Sequence, residues 1–173
     1  MTRKNGFTLV ELLVVIAILG VLVSIALVAF RSSQARGRDA QRKSDLKQLS
    51  SSLELFYSDY GSYPSDTSSV INACPYNSGT GAGSVCTWGT GEFTDGKTVY
   101  IKTVPKDPTA ATSYVYRIVP GSANQKFQLF ARLENSQDPQ CLGGDCSAST
   151  VSYACGTKTC NFAITSPNTK ATE

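Results

Sequence analysis

Three groups of residues in this 173-residue chain have types and spacings that could do chemistry. Residues 91–98 read GEFTDGKT and satisfy the phosphate-loop pattern G-x-x-x-x-G-K-[ST]. That chemistry needs a strand that delivers the loop to a helix N-terminus, where backbone amides hold phosphate. The segment that follows, VYIKTVPKDP, is β-branched and stopped by proline, so the helix is missing. The stretch therefore predicts a hairpin turning at Asp95 and Gly96. The second group is the cysteines Cys74, Cys86, Cys141, Cys146, Cys155 and Cys160. An even count in a polar, small-core region predicts disulfides and an oxidising compartment, with local pairing of Cys74 to Cys86, Cys141 to Cys146 and Cys155 to Cys160. Zinc is the competing reading, because the last four form two C-x4-C pairs, near the wide limit for a structural site. The third is a single carboxylate, Glu11, near the start of an apolar run. The chain has no histidine, which removes Ser–His and Cys–His nucleophile pairs and the commonest general base. The sequence nominates no catalytic residue, metal ligand or cofactor, and a catalyst is disfavoured.

The elements that must carry these groups follow from composition. Hydrophobic residues make up 41% of the chain, and residues 7–30 take a large share of them. What remains suits one thin, turn-rich domain short of core. The run GFTLVELLVVIAILGVLVSIALVAF is followed by no small-residue cleavage site, and its apolar length of about 24 residues suffices to span a bilayer. It reads as retained. Beyond it, Leu46, Leu49, Leu53, Phe56 and Tyr60 recur at spacings of three and four, the stripe of a soluble amphipathic helix. Gly61 and Pro64 end it, and no proline lies between Phe7 and Pro64. One helix of about 54 residues, near 80 Å long, is expected.

Arg31, Arg36, Arg38, Arg42, Lys43 and Lys47 form a basic stretch just past the apolar run. The plain reading is a solvated helix face near lipid headgroups, partly neutralised by Asp39 and Asp45. Acidic neighbours in an assembly and DNA phosphates are alternative contacts, with DNA disfavoured at a net charge of only +3. Counted by Lys and Arg, this flank would lie in the cytoplasm. The six cysteines argue instead for an exported C-terminal part, and that reading is preferred.

From Pro64 to Thr94 the composition turns to Ser, Gly, Asn and Thr and reads as a long loop closed by Cys74 and Cys86. TVYIKTV, SYVYRIV and KFQLFARLE then read as strands. In the third, Phe127, Leu129, Ala131 and Leu133 alternate, so one face is expected against the helix stripe. TVSYACGTKTCNFAIT reads as a closing hairpin with Gly156 in its turn. Tyr57, Tyr60, Tyr63, Tyr76 and Trp88 could stack on nucleobases, but tyrosines at helical spacing read first as core.

An ionised Glu11 near a membrane end is tolerated by snorkelling or protonation. A cut after Gly6 would give it a purpose. The new α-amine of Phe7 would lie one helical turn away, and in a bundle the amine of one subunit could pair with Glu11 of its neighbour. A buried pair of that kind fixes register.

KNGFTLVELLVVIAILG resembles the leader and N-terminal helix of type IV pilins and pseudopilins. The resemblance implies cleavage after Gly6 by a prepilin peptidase, N-methylation of Phe7 and an assembly role for Glu11. FYSDYGSYPS, YIKTVPKDP and YVYRI further resemble the major pseudopilin of type II secretion, while residues 135–173 resemble nothing. Two departures stand out. Many family members carry a proline near Val28, absent here, although Gly20 could still permit local melting. The secretion subunit often has an acidic, glycine-rich calcium loop, whereas ENSQDPQCLGGDC offers Glu134, Asp138 and Asp145 without the usual pattern.

The expected fold is α+β and pilin-like, a long N-terminal helix whose second half packs on a small antiparallel sheet. Its parts are a leader (1–6), a membrane or filament-core helix (7–30), the soluble half of that helix (31–61) and a disulfide-stapled head (62–173). The expected function is a structural subunit of a homo-oligomeric helical filament. Its partners would be the prepilin peptidase, an inner-membrane assembly machinery and, before assembly, the membrane. The chain would cross the cell membrane once with its head outside the cytoplasm, then join an extracellular or periplasmic filament. A monomeric, membrane-anchored binding module is the alternative.

Overall fold

The computed structural model describes residues 8–147 and 149–173. Gly6 and Phe7, the expected cleavage point, lie outside the described residues, as does the leader. The fold is α+β. A helix, α1, runs from Leu9 to Tyr60 over 52 residues. It stops where the sequence predicts: Gly61 takes φ +69°, open to glycine at little cost, and its N–H reaches the Tyr57 carbonyl at 2.7 Å. The chain forms two compact units, one ending at Gly37 and the other comprising Arg38–Glu173.

The first unit holds the apolar part of α1. Its large side chains are exposed, from Leu9 at 79% to Ile25 at 66%. The helix is long and apolar enough to cross a membrane. The Ser24 hydroxyl donates to the Gly20 carbonyl at 2.8 Å, a local back-bond that satisfies the hydroxyl within the helix.

The second unit is built in layers. β1 (Asp66–Thr67), β2 (Val70–Asn77) and β3 (Ala82–Val85) form one antiparallel sheet, and β4 (Phe93–Thr94) with β5 (Val99–Ile101) a two-stranded ribbon. β6 (Val115–Ile118) and β7 (Phe127–Ala131) pair with Val115 opposite Phe130 and Ile118 opposite Phe127. β8 (Ala154–Cys155) and β9 (Lys158–Thr159) make a small hairpin around Gly156 at φ +75°. β10 (Phe162–Thr165) then returns to the other side of β7, which becomes the central strand. The stripe residues Leu46, Leu49, Leu53 and Phe56 are all 0% exposed and share a core with Phe93, Tyr116, Phe127 and Leu129. Each such side chain contributes about 1.5–3 kcal/mol by burial.

Two expectations are corrected. Residues 64–94 are not one long loop, because they contain β1 to β4. Ile71 and Ala73 alternate inward within the Ser/Gly-rich sequence, and the Cys74–Cys86 disulfide, with Cα atoms 4.9 Å apart, ties β2 to the residue just after β3. Nor is β7 buried on one face alone; all five of its residues are buried. The back of the sheet is covered by the C-terminal segment, where Val151 and the Cys155–Cys160 disulfide pack on Phe130 and Val115. The buried Gln128 reaches the Lys170 carbonyl at 2.7 Å.

Candidate functional site

In the first unit, Glu11 has a partner in its own chain. The Thr8 N–H and Thr8 hydroxyl donate to Glu11 Oε2 at 2.8 and 2.7 Å, and the Glu11 N–H donates to Thr8 Oγ1 at 3.2 Å. This is a reciprocal capping box that satisfies donors at the start of α1, worth about 1 kcal/mol. T-x-x-E is legible in the sequence as residues 8–11, at the head of the apolar run. The carboxylate is thereby held at the helix N-terminus, next to where a Phe7 amine would lie in sequence.

In the second unit, the basic stretch does not behave as a solvated face. Arg42 is 0% exposed. It meets Asp107 in a two-pronged pair (Nε to Oδ2 2.8 Å, Nη2 to Oδ1 2.9 Å) and donates through Nη1 to Asp39 and Glu134, both at 2.8 Å. Asp39 also accepts the N–H groups of Glu134 and Asn135. Arg38 grips Glu134 with two donors at 2.8 and 2.5 Å, and Lys43 reaches Asp138 at 2.6 Å. The reading of these cations as headgroup contacts is thus corrected for Arg38, Arg42 and Lys43. Arg42 lies four residues before Leu46, and Asp39 three before Arg42. Both continue the apolar stripe, and periodicity alone places them inside.

The electrostatics follow. Burial works against the Arg42 charge, but its hydrogen bonds to Asp107 and Glu134 outweigh that, so its pKa rises. Burial likewise opposes ionisation of Asp107, and Arg42 overcomes it, leaving the pKa lowered. The Arg38 hydrogen bond, aided by Arg42, holds Glu134 down to about 2.

Of the three carboxylates considered for calcium, Glu134 and Asp138 are thus held by side-chain cations, and Asp145 accepts from the Ser147 N–H and hydroxyl. Among the described residues no group of three His, Cys, Asp or Glu is arranged to hold a metal ion. Removing divalent cations with a chelator is expected to leave the thermal midpoint unchanged within about 1 °C, which calorimetry with and without EDTA would check; a larger fall would mean that a metal holds this loop.

The structure pairs Cys74 with Cys86, Cys141 with Cys146 and Cys155 with Cys160. Residues 91–98 carry β4 and the turn into β5, with Gly96 at φ +82° and Asp95 Oδ1 accepting the N–H groups of Lys97 and Thr98. Those N–H bonds, with the Tyr60 hydroxyl at 2.6 Å, hold the Asp95 carboxyl at about 2. The loop amides therefore serve a side chain of their own turn. The tyrosine rings pack on one another, Tyr57 on Tyr63 at 4.7 Å and Phe56 on Tyr60 at 4.6 Å.

Comparison with known proteins bears on what such a chain is. Residues 1–27 match the prokaryotic N-terminal methylation motif, and residues 29–141 match the type II secretion system protein G model. The chain belongs to the type II secretion system protein G family. Relatives of this family member include the type IV major pilin protein PilA of Myxococcus xanthus, 40% identical over 73 residues, which are 42% of this chain and 33% of that protein. The type IV major pilin protein PilE1 of Neisseria gonorrhoeae is 34% identical over 74 residues, 43% of this chain and 45% of that protein. The type II secretion system core protein G of Pectobacterium carotovorum is 38% identical over 63 residues, 36% of this chain and 40% of that protein. The chain thus spans between a third and a half of the length of these curated relatives. No solved structure matches it. The protein G match ends at residue 141, so the segment that covers the back of the sheet lies mostly beyond the family pattern.

Proposed function

We propose that the chain is a structural subunit of a helical filament of the secretion-pseudopilus or type IV pilus kind, with no catalysis of its own. The observation that carries this reading is the exposed apolar surface of α1 from Leu9 to Phe30, which keeps one carboxylate, Glu11, at its start. Contiguous apolar surface of this extent is stable only when lipid or other helices cover it. Residues 1–6 act as a leader that prepilin peptidase removes after Gly6, and the new N-terminus at Phe7 is methylated, which keeps its amine basic. Until extraction, residues 7–30 hold the chain in the cell membrane in a single pass, with the disulfide-bearing head outside the cytoplasm. Residues 31–61 complete the helix and carry the head, residues 62–173.

During assembly by the inner-membrane machinery, the apolar helix exchanges lipid for neighbouring copies of itself. Lateral packing supplies the drive and Glu11 the register, through the Phe7 amine of the next subunit. The filament then lies in the periplasm or outside the cell. The match to the methylation motif over residues 1–27 supports the processing step.

The test is the mass of the N-terminal peptide from the native membrane or filament fraction. A peptide beginning at Phe7 with one added methyl is expected. A mature fraction still carrying Met1 to Gly6 would overturn the filament reading and leave a plain membrane anchor.

A further inference from the structure

The second unit carries a surface that borders the charge network, since Arg42 and Glu134 stand in its wall, and that offers groups the network leaves free. Two hollows flank the loop from Asp107 to Thr112. One, of about 390 Å³, is walled by Trp88, Lys106, Pro108, Ser113 and Tyr114. The other, of about 370 Å³, is bordered by Arg132 and Lys158. Thr109 and Thr112 line both, so the two share a wall. Each has the volume of a small-molecule site, about 300–1,000 Å³.

The shared wall is held in place. Asp107 is clamped by Arg42 and accepts from the Thr109 N–H and hydroxyl, both at 2.9 Å, while the Thr109 and Thr112 hydroxyls lie 2.6 Å apart. What it presents is a set of unused groups. Trp88 is the only tryptophan in the chain, is half-buried, and stands edge-to-face with Tyr114 at 5.9 Å. Among the described residues its indole N–H has no acceptor. The Lys106 and Lys158 ammonium groups are likewise without a carboxylate, whereas Asp107 and Glu134 nearby are committed to Arg42 and Arg38. Arg132 spends one donor on the Thr159 carbonyl and keeps the rest. The Lys106 stem lies over Gly89, where an added Cβ would come within 2.7 Å of the Lys106 Cδ.

The threonine hydroxyls are taken up by Asp107, by each other and by Arg42 Nη2, at 3.2 and 3.5 Å, so the ring with its spare donor and the cations lacking anions are what the face offers a ligand. A pyranose offers a C–H face to the indole, and a uronate adds carboxylates for the lysines. We propose that this face binds an acidic polysaccharide, with Trp88 stacking on a sugar ring and Lys106 and Lys158 each pairing with a uronate carboxylate. The surface lies within the second unit, so the proposal does not depend on filament assembly.

Because Trp88 is the sole indole, its fluorescence in the detergent-solubilised full-length chain reports on the site. Titration with an alginate hexasaccharide is expected to give a saturable change. Cellohexaose, which has the same number of sugar rings and no carboxylate, is expected to give none below millimolar concentration. Lys106→Met keeps the stem over Gly89 and removes the charge; it and Lys158→Met are each expected to weaken alginate binding about tenfold. Added salt is expected to weaken binding to the unaltered chain. The proposal is overturned if alginate produces no saturable change, if cellohexaose binds equally well, or if both lysine variants bind alginate as the unaltered chain does.

Discussion

An Arg42→Met chain is expected to unfold roughly 10 °C or more below the unaltered protein. The cause is the carboxylates left behind. Asp107 and Asp39 are buried, and with Glu134 they face a single guanidinium. Removing one partner of such a cluster costs about 3–5 kcal/mol, because the remaining charges lose the interaction that offsets their desolvation. Lysine would not substitute, since one ammonium cannot give Asp107 a two-pronged pair and still reach Asp39 and Glu134. Adding Asp107→Asn to Arg42→Met is expected to recover part of the loss, since it removes one stranded charge. A midpoint within about 2 °C for Arg42→Met would show that the cluster contributes little. The same cluster sets an acid limit. Glu134 titrates at about 2 instead of near 4.5, and Asp107 is also lowered, so the folded state favours the ionised forms. Their contribution is fully present above about pH 4.5 and is lost as pH falls through the folded values, toward about 2. Denaturation midpoints measured across that range should fall with pH, and should fall less in the double variant.

Glu11→Ala is expected to give subunits that are processed normally yet enter filaments about tenfold less or worse, because the charge proposed to fix register is absent. Alanine also removes the capping box with Thr8, so a second substitution separates the two effects. Glutamine can serve in a capping box as glutamate does. Glu11→Gln therefore keeps the helix start and discards only the charge. Filament yield from Glu11→Gln comparable to that of the unaltered chain would sink the charge-pairing idea and leave Glu11 as a cap. Thr8→Ala loses the cap at a cost of about 1 kcal/mol and keeps the charge; it is expected to assemble, with a helix start that exchanges amide hydrogens faster.

What the sequence revealed divides along physical lines. The helix from Leu9 to Tyr60, its stop at Gly61 and the stripe Leu46–Leu49–Leu53–Phe56 were legible because they rest on local rules of period and glycine conformation. The turn at Asp95 and Gly96 was legible for the same reason. Arg42 was misjudged by residue type, since a charge is buried only when distant carboxylates meet it, and Asp107 and Glu134 are 65 and 92 positions away. β2 was hidden by its composition, because Ser68, Ser69, Asn72 and Pro75 interrupt the apolar signal of Ile71 and Ala73, whose burial is completed by the disulfide from Cys74 to Cys86. Glu11 stands out by its apolar surroundings, while its bond to Thr8 is legible only as the spacing T-x-x-E. The groove beside Trp88 had no sequence signal, because its residues come together only in the fold.

The place of β10 bears on how the chain is made. β7 is the centre of its sheet, yet one of its two neighbours, Phe162–Thr165, is synthesised well after it. Until that segment emerges, Phe127–Ala131 has an open edge, and the back of Phe130 lacks the Cys155–Cys160 cover. This sheet therefore closes only after synthesis has passed Thr165, and a chain cut short before Phe162 leaves an unpaired apolar strand suited to joining another unfinished copy. The segment from Val151 to Thr165 acts as the seal on β7.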